Sequence, residues 1–124
     1  MDEPTRRALA KGHVIDITTT GRASGEPRRI EIVFHVIGGR IYISGMPSPR
    51  KRAWLANLEH DPNLIFHLKG AVTADLAASA RSITDESERR AILEHVAKAW
   101  NRTDVERMVA QSPLIEVTFP SLAA

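Results

Sequence analysis

The chain has 124 residues, 17 Lys or Arg against 15 Asp or Glu, a net charge of +2 and no cysteine. That length fits one domain, here 1–124, with a core large enough to need no staples, and the missing thiols exclude a disulfide framework and cysteine-ligated metal sites. So small a net charge excludes the basic stripe of a nucleic-acid-binding protein, and no apolar run reaches the roughly 18–20 residues that cross a bilayer.

The opening "MDEPTRRALAKG" lacks the apolar centre of a signal peptide, so a cytoplasmic protein without a membrane span is expected. The charges are unevenly placed. Arg22, Arg28, Arg29, Arg40, Arg50, Lys51 and Arg52 face only Glu26 and Glu31 within that stretch, whereas the acids concentrate between 85 and 106. An anionic small-molecule ligand near the first half is the expectation.

In chain order, "VIDITTT" (14–20) alternates β-branched and polar residues and reads as the first strand. "GRASGEPR" follows as an exposed turn rich in Gly and Pro. The second strand, 28–37, alternates and then becomes nearly all apolar; Gly38 and Gly39 make a primed hairpin turn, and "RIYISG" returns as the third. In "MPSPRKRAWLANLEHDP" Ser48 is placed as the N-cap and Pro49 as the first residue of a short helix, which Trp54, Leu55 and Leu58 pin to the core and Pro62 ends.

"NLIFHLKG" and "VTADLAASARSI" read as strands four and five. From Asp85, Ile92, Leu93, Val96, Ala97 and Trp100 recur at three and four and predict the longest helix. "TDVERMV" offers another helical turn or two, and "LIEVTF" (114–119) is the sixth strand. Short strands joined by hairpins, with helices late in the order, favour an antiparallel α+β barrel over a βαβ fold.

The chemistry-bearing residues cluster. Arg22, Arg28 and the "SPRKR" loop place guanidinium donors beside a helix start, whose free N–H groups and positive dipole end suit an anion; Ser48 to Lys51 are read as an anion cradle. "GRASG" lies between strands and opens no helix, so it is no nucleotide-binding fingerprint. His13, His35, His60, His67 and His95 have no metal-ligand spacing. His35 and His67 lie in apolar strands, where a hydrogen-bonded structural histidine is the expected role and polarising a substrate carbonyl the alternative. The serines lack a nucleophile elbow. Trp54 and Trp100 belong to the core by position, with ring stacking the alternative for Trp54. Asn57, one turn after Trp54, is placed to cap or contact the preceding loop.

"TTTGRASGEPRRIEI" followed by "ISGMPSPRKRAWLANLEHDPNLIFHLKG" resembles the deazaflavin-dependent nitroreductase family, split β-barrel proteins that use coenzyme F420; the likeness covers 15–70 and extends loosely to "ARSITDESERRAIL". It implies six mostly antiparallel strands, with a short helix after the third and a longer one before the last. It implies that Arg22 and Arg28 contact the acidic tail or phosphate of the deazaflavin. Ser48, Pro49, Arg50 and Lys51 would wrap the phosphate, with Trp54 and Asn57 supporting that loop. Ile43, Ser44, Gly45 and Met46 would lie near the ring.

Hydride would then pass from reduced F420 to an electron-poor enone, quinone or nitro compound. The chain departs from the family pattern at Ala23, Arg52 and Leu55, and its only tyrosine is Tyr42 rather than one near the C-terminus. FMN in place of F420, and a cofactor-binding module without turnover, are the alternatives. A homodimer formed through a sheet face is also expected.

Overall fold

Alternation in the sequence becomes inside and outside of a barrel. The computed structural model describes residues 2–11 and 14–120. Its strands are β1 (Val14–Thr20), β2 (Pro27–Ile37), β3 (Arg40–Ser44), β4 (Asn63–Leu68), β5 (Ala74–Ser82) and β6 (Leu114–Thr118), closed in the order β1-β2-β3-β6-β5-β4 with every pair antiparallel. β4 pairs back onto β1, Ile17 opposite Phe66, so the barrel closes without a free edge.

On β1, Ile15 and Ile17 point inward and are essentially unexposed, while Val14, Asp16 and Thr18 point out. Ile43, Phe66 and Ile115 complete the centre. Phe66 meets Phe34 and Phe119 edge-on, with ring centroids 5.2 and 5.1 Å apart. β2 begins at Pro27, tolerable at a strand's first position because it owes no ladder N–H there. Gly38 and Gly39, at φ 59° and 77°, make the turn that pairs Ile37 with Arg40.

Four helices attach to this frame. α1 (Glu3–Lys11) packs on the barrel through Leu9 and Ala8. It was not expected from the sequence, because only one or two large apolar residues mark its inner face. Asp2 starts it by accepting the Thr5 N–H at 2.9 Å. α2 (Ala53–His60) adds Trp54, Leu55 and Leu58 to the barrel core, as the spacing predicted.

α3 (Glu86–Ala99) starts at Asp85, whose carboxylate accepts the Glu88 N–H at 2.9 Å. Together with α4 (Val105–Gln111), it forms a second core around Tyr42, Leu93, Val96, Met108 and Leu114. Tyr42 belongs to that core because its neighbours Ile41 and Ile43 already face the barrel interior.

Candidate functional site

α2 divides the basic residues into two groups. At about 100° per residue, Ala53, Trp54 and Asn57 share one face, and Leu55 and Glu59 lie on the opposite one. The first face borders a hollow of about 400 Å³ lined by Arg22, Ser24, Arg28, Ile30, Trp54 and Asn57. The second borders one of about 670 Å³ whose lining includes Ser48, Arg50, Lys51, Arg52 and Arg89 together with Glu59, Glu86 and Glu106. The arginines of the turn and the bases of the "SPRKR" loop therefore flank one helix start and line two hollows rather than one groove.

Asn57 ties the first hollow together. Its side chain is buried, accepts the Arg22 N–H at 3.0 Å and donates to Thr19 Oγ1 at 3.1 Å. Asn57 was expected to cap its helix or contact the loop preceding it; its side chain instead clamps the backbone of the earlier β1–β2 turn, which the fold of the barrel brings against α2. Within that turn Gly21 accepts the Gly25 N–H and donates to the Glu26 carbonyl, both at 2.8 Å, and Arg28 Nη2 donates to Ser24 Oγ at 3.4 Å. Asn57→Ala strands the Arg22 N–H and is expected to cost about 1–3 kcal/mol of stability, measured by urea unfolding; an unchanged midpoint would contradict the clamp.

In the larger hollow, the predicted cap is corrected. α2 starts at Ala53 with Arg52 as N-cap, and no side chain caps it. Ser48 Oγ instead accepts the Arg50 N–H at 3.2 Å, and the Ser48 N–H donates to the Gln111 carbonyl at 3.1 Å. The loop is thus anchored on the α4–β6 junction, so the helix begins only where Trp54 and Leu55 reach the core. Its first N–H groups and positive dipole end stay without a side-chain acceptor beside the bases.

Lys51 is balanced by Glu59 at 2.6 Å, and Arg52 Nη2 donates to the Met46 carbonyl at 2.9 Å. Arg50 is exposed and has no ion-pair partner among the described residues.

The residues expected near a ring divide by exposure. Ile43 and Ser44 are buried, and the Ser44 hydroxyl donates to the Pro113 carbonyl at 2.7 Å. Gly45 brings the loop against β6: a β-carbon there would meet Pro113 Cγ at 3.0 Å and Arg52 Nη2 at 3.4 Å. Met46 is exposed, with Arg102 Nη1 3.1 Å from its sulfur.

Sequence reasoning missed Arg89. Nε donates to Val109 O at 2.8 Å, Nη1 to Ile83 O at 2.8 Å, and Nη2 to Ser112 O at 2.5 Å and Met108 O at 3.4 Å. Burial holds its pKa below the usual arginine value, though it stays a cation. Its neighbour Arg90 takes the nearby carboxylates, Glu86 and Glu106. "ERR" by itself gives no sign of which arginine turns inward.

The two strand histidines behave differently. His67 is hydrogen-bonded as expected, with Nε2 2.7 Å from Thr18 Oγ1 and Nδ1 2.7 Å from Asp75 Oδ1. His35 is not: its Nε2 is buried without a partner, and its ring stands edge-on to Trp100 at 5.2 Å. It faces outward from β2 against Trp100, where no polar group among the described residues reaches Nε2. His13 lies outside the described residues, among which no three His, Cys, Asp or Glu side chains are grouped to hold a metal.

Burial pushes the His35 pKa below its ordinary value. The unfolded chain therefore takes up a proton below about pH 6.5 that the fold refuses until lower pH, so stability is full above that value and falls as the solution is acidified through it. Thermal melts from pH 7 to 5 should show this loss, and His35→Phe should flatten it; an equal slope in the variant would contradict the assignment.

No curated protein matches the chain. Among solved structures, a conserved hypothetical protein from Mycobacterium tuberculosis, Rv2991, superposes with a TM-score of 0.72 at 19% identity, over 97% of this chain and 81% of that one. An F420-H2 dependent reductase, FDR-A, gives 0.63 at 19% identity, over 85% and 93%. A protein described as a domain-swapped dimer gives 0.63 at 19%, over 93% and 94%. At these identities the likeness is one of fold, the split β-barrel. The family model for F420H(2)-dependent quinone reductase matches residues 2–118, a span that includes all six strands and both hollows. The chain belongs to the F420H2-dependent quinone reductase family.

Proposed function

We propose that this protein binds coenzyme F420 and delivers its hydride to an electron-poor small molecule, an enone, quinone or nitro compound. The observation that supports this most is the pair of hollows that flank the uncapped start of α2, one bearing Arg22 and Arg28 and the other Arg50, Lys51 and Arg52. Phosphate and carboxylates are what such donor sets hold, and the coenzyme carries both. When bound, the reduced deazaflavin supplies the hydride chemistry.

The chain's own residues bind and orient. Ser48, Pro49, Arg50 and Lys51 take the phosphate in the larger hollow, while Arg22 and Arg28 take the acidic tail on the other side of α2. Trp54 and Asn57 hold both walls in register through the helix they share. Gly45 and Met46 border the loop where the ring would approach. Ser44 acts from behind by fixing the end of β3 to Pro113.

The test is multiple-turnover oxidation of reduced F420 by a quinone, followed by absorbance. Turnover proportional to enzyme is expected. Binding without turnover would make the protein a cofactor-binding module, and a yellow preparation with a flavin band would replace F420 by FMN.

The same reading makes the enzyme cytoplasmic and dimeric. No helix among the described residues is long and apolar enough to cross a membrane. Val14, Val33 and Ile65 are exposed on the outward faces of β1, β2 and β4. Burying such residues against a second copy is favourable, and sedimentation at twice the chain mass is the expected result; a monomer would refute it.

A further inference from the structure

We propose that the hollow between α1 and the end of the barrel binds an alkyl carboxylate, whose chain lies on the barrel core and whose carboxylate meets a cationic rim. This hollow has a volume of about 370 Å³ and shares no lining residue with the two beside α2. On β2, Phe34 borders it and Arg28 borders the smaller of those two, so about 20 Å of extended strand lies between them. The site does not rest on the F420 reading.

Its floor is Ile15, Phe34 and Leu68, buried side chains of the barrel core. Val72, in the loop between β4 and β5, closes one side and α1 the other. Along α1, Pro4, Ala8 and Lys11 recur at four and three, with Arg7 beside Ala8, and none of them is buried. One open stripe of the helix therefore delivers an apolar wall and two cations to the same hollow.

The rest of the lining selects the ligand. Apart from Arg7, Lys11 and Lys69, every described side chain there is apolar, and none is an acid or another acceptor. All three cations keep free donors. Arg7 uses only Nε, on Glu3, in a pair whose side chains are 76% and 65% exposed and which is therefore weak and readily exchanged. Lys69 gives two of its three N–H bonds to Asp16 and Glu31, and Lys11 pairs with no carboxylate among the described residues. A cation would meet three like charges, a polyphosphate would find nothing on the apolar floor, and a neutral hydrocarbon would leave the donors unused. A chain ending in one carboxylate satisfies floor and rim together.

The experiment titrates sodium decanoate and decyltrimethylammonium, similar chains of opposite charge, into the full chain by calorimetry below their micelle concentrations. Decanoate should bind saturably, and the cation about tenfold more weakly or worse. Lys11 is exposed, so Lys11→Glu should scarcely move the melting temperature while weakening decanoate by about tenfold or more. Val72→Asp, which sets an acid in the apolar wall, should weaken it at least as much. Binding of F420 should be unchanged in both variants.

Equal affinity for the two amphiphiles, or decanoate binding that both variants retain, would overturn the proposal; if Val72→Asp fails to fold, Lys11→Glu decides alone. Displacement of decanoate by F420 would also overturn it, by placing the chain in the coenzyme's site. Lys11-dependent binding of decanoate by a protein that binds no F420 would uphold the site and remove the F420 reading.

Discussion

Trp54→Ala is expected to destabilise the protein by about 3–5 kcal/mol, the cost of emptying a buried aromatic site that cannot collapse. Trp54 is 8% exposed and is counted in the same core as Ile17, Phe34 and Phe66. It also carries α2, so its loss loosens the helix that separates the two hollows. Denaturant unfolding measures the loss directly. A variant with the wild-type midpoint would show that the indole lies outside the core and leave its edge on the Arg22 hollow as its only role.

Arg50→Ala should do the opposite. Arg50 is exposed and pairs with no carboxylate among the described residues, so its removal should change stability by less than about 0.5 kcal/mol. Its loss from an anion site should weaken F420 binding by about 1.5–3 kcal/mol, the size of a charge-assisted hydrogen bond. Arg28→Ala is expected to behave alike from the other side of α2, since among the described residues its side chain makes only the long bond to Ser24. A folding defect with unchanged affinity in both variants would assign these arginines to the fold instead.

The strands were legible because a barrel imposes one simple constraint, an inward face and an outward face in alternation. "VIDITTT" and "LIEVTF" show it directly, and the two glycines of the β2–β3 hairpin fix the register between their strands. Helices were legible in proportion to their apolar stripe. α3 carries Ile92, Leu93, Val96 and Ala97 on its buried side, whereas α1 buries only Thr5 and Leu9 and so gave no apolar stripe to read.

At the site, the residue types around α2 were readable, yet their division between two hollows was not. That division depends on which side of α2 each neighbouring loop meets, a matter of three-dimensional packing. Ser48 looked like a cap because Ser-Pro is a good helix start, but the bond from its N–H to Gln111, far along the chain, decided otherwise. Arg89 was invisible for the same reason. The partners of Arg89 are backbone carbonyls 6 to 23 residues away, and no sequence pattern announces a backbone acceptor.

Fluorescence titration of F420 with the purified full chain is the most direct test of the claim that the bases flanking α2 hold a deazaflavin through its anionic groups. Quenching that saturates with a micromolar Kd, about 8 kcal/mol of binding free energy, and that weakens steeply with added salt, is the predicted result. An emission that stays constant to the highest protein concentration reached, at low salt, would contradict it.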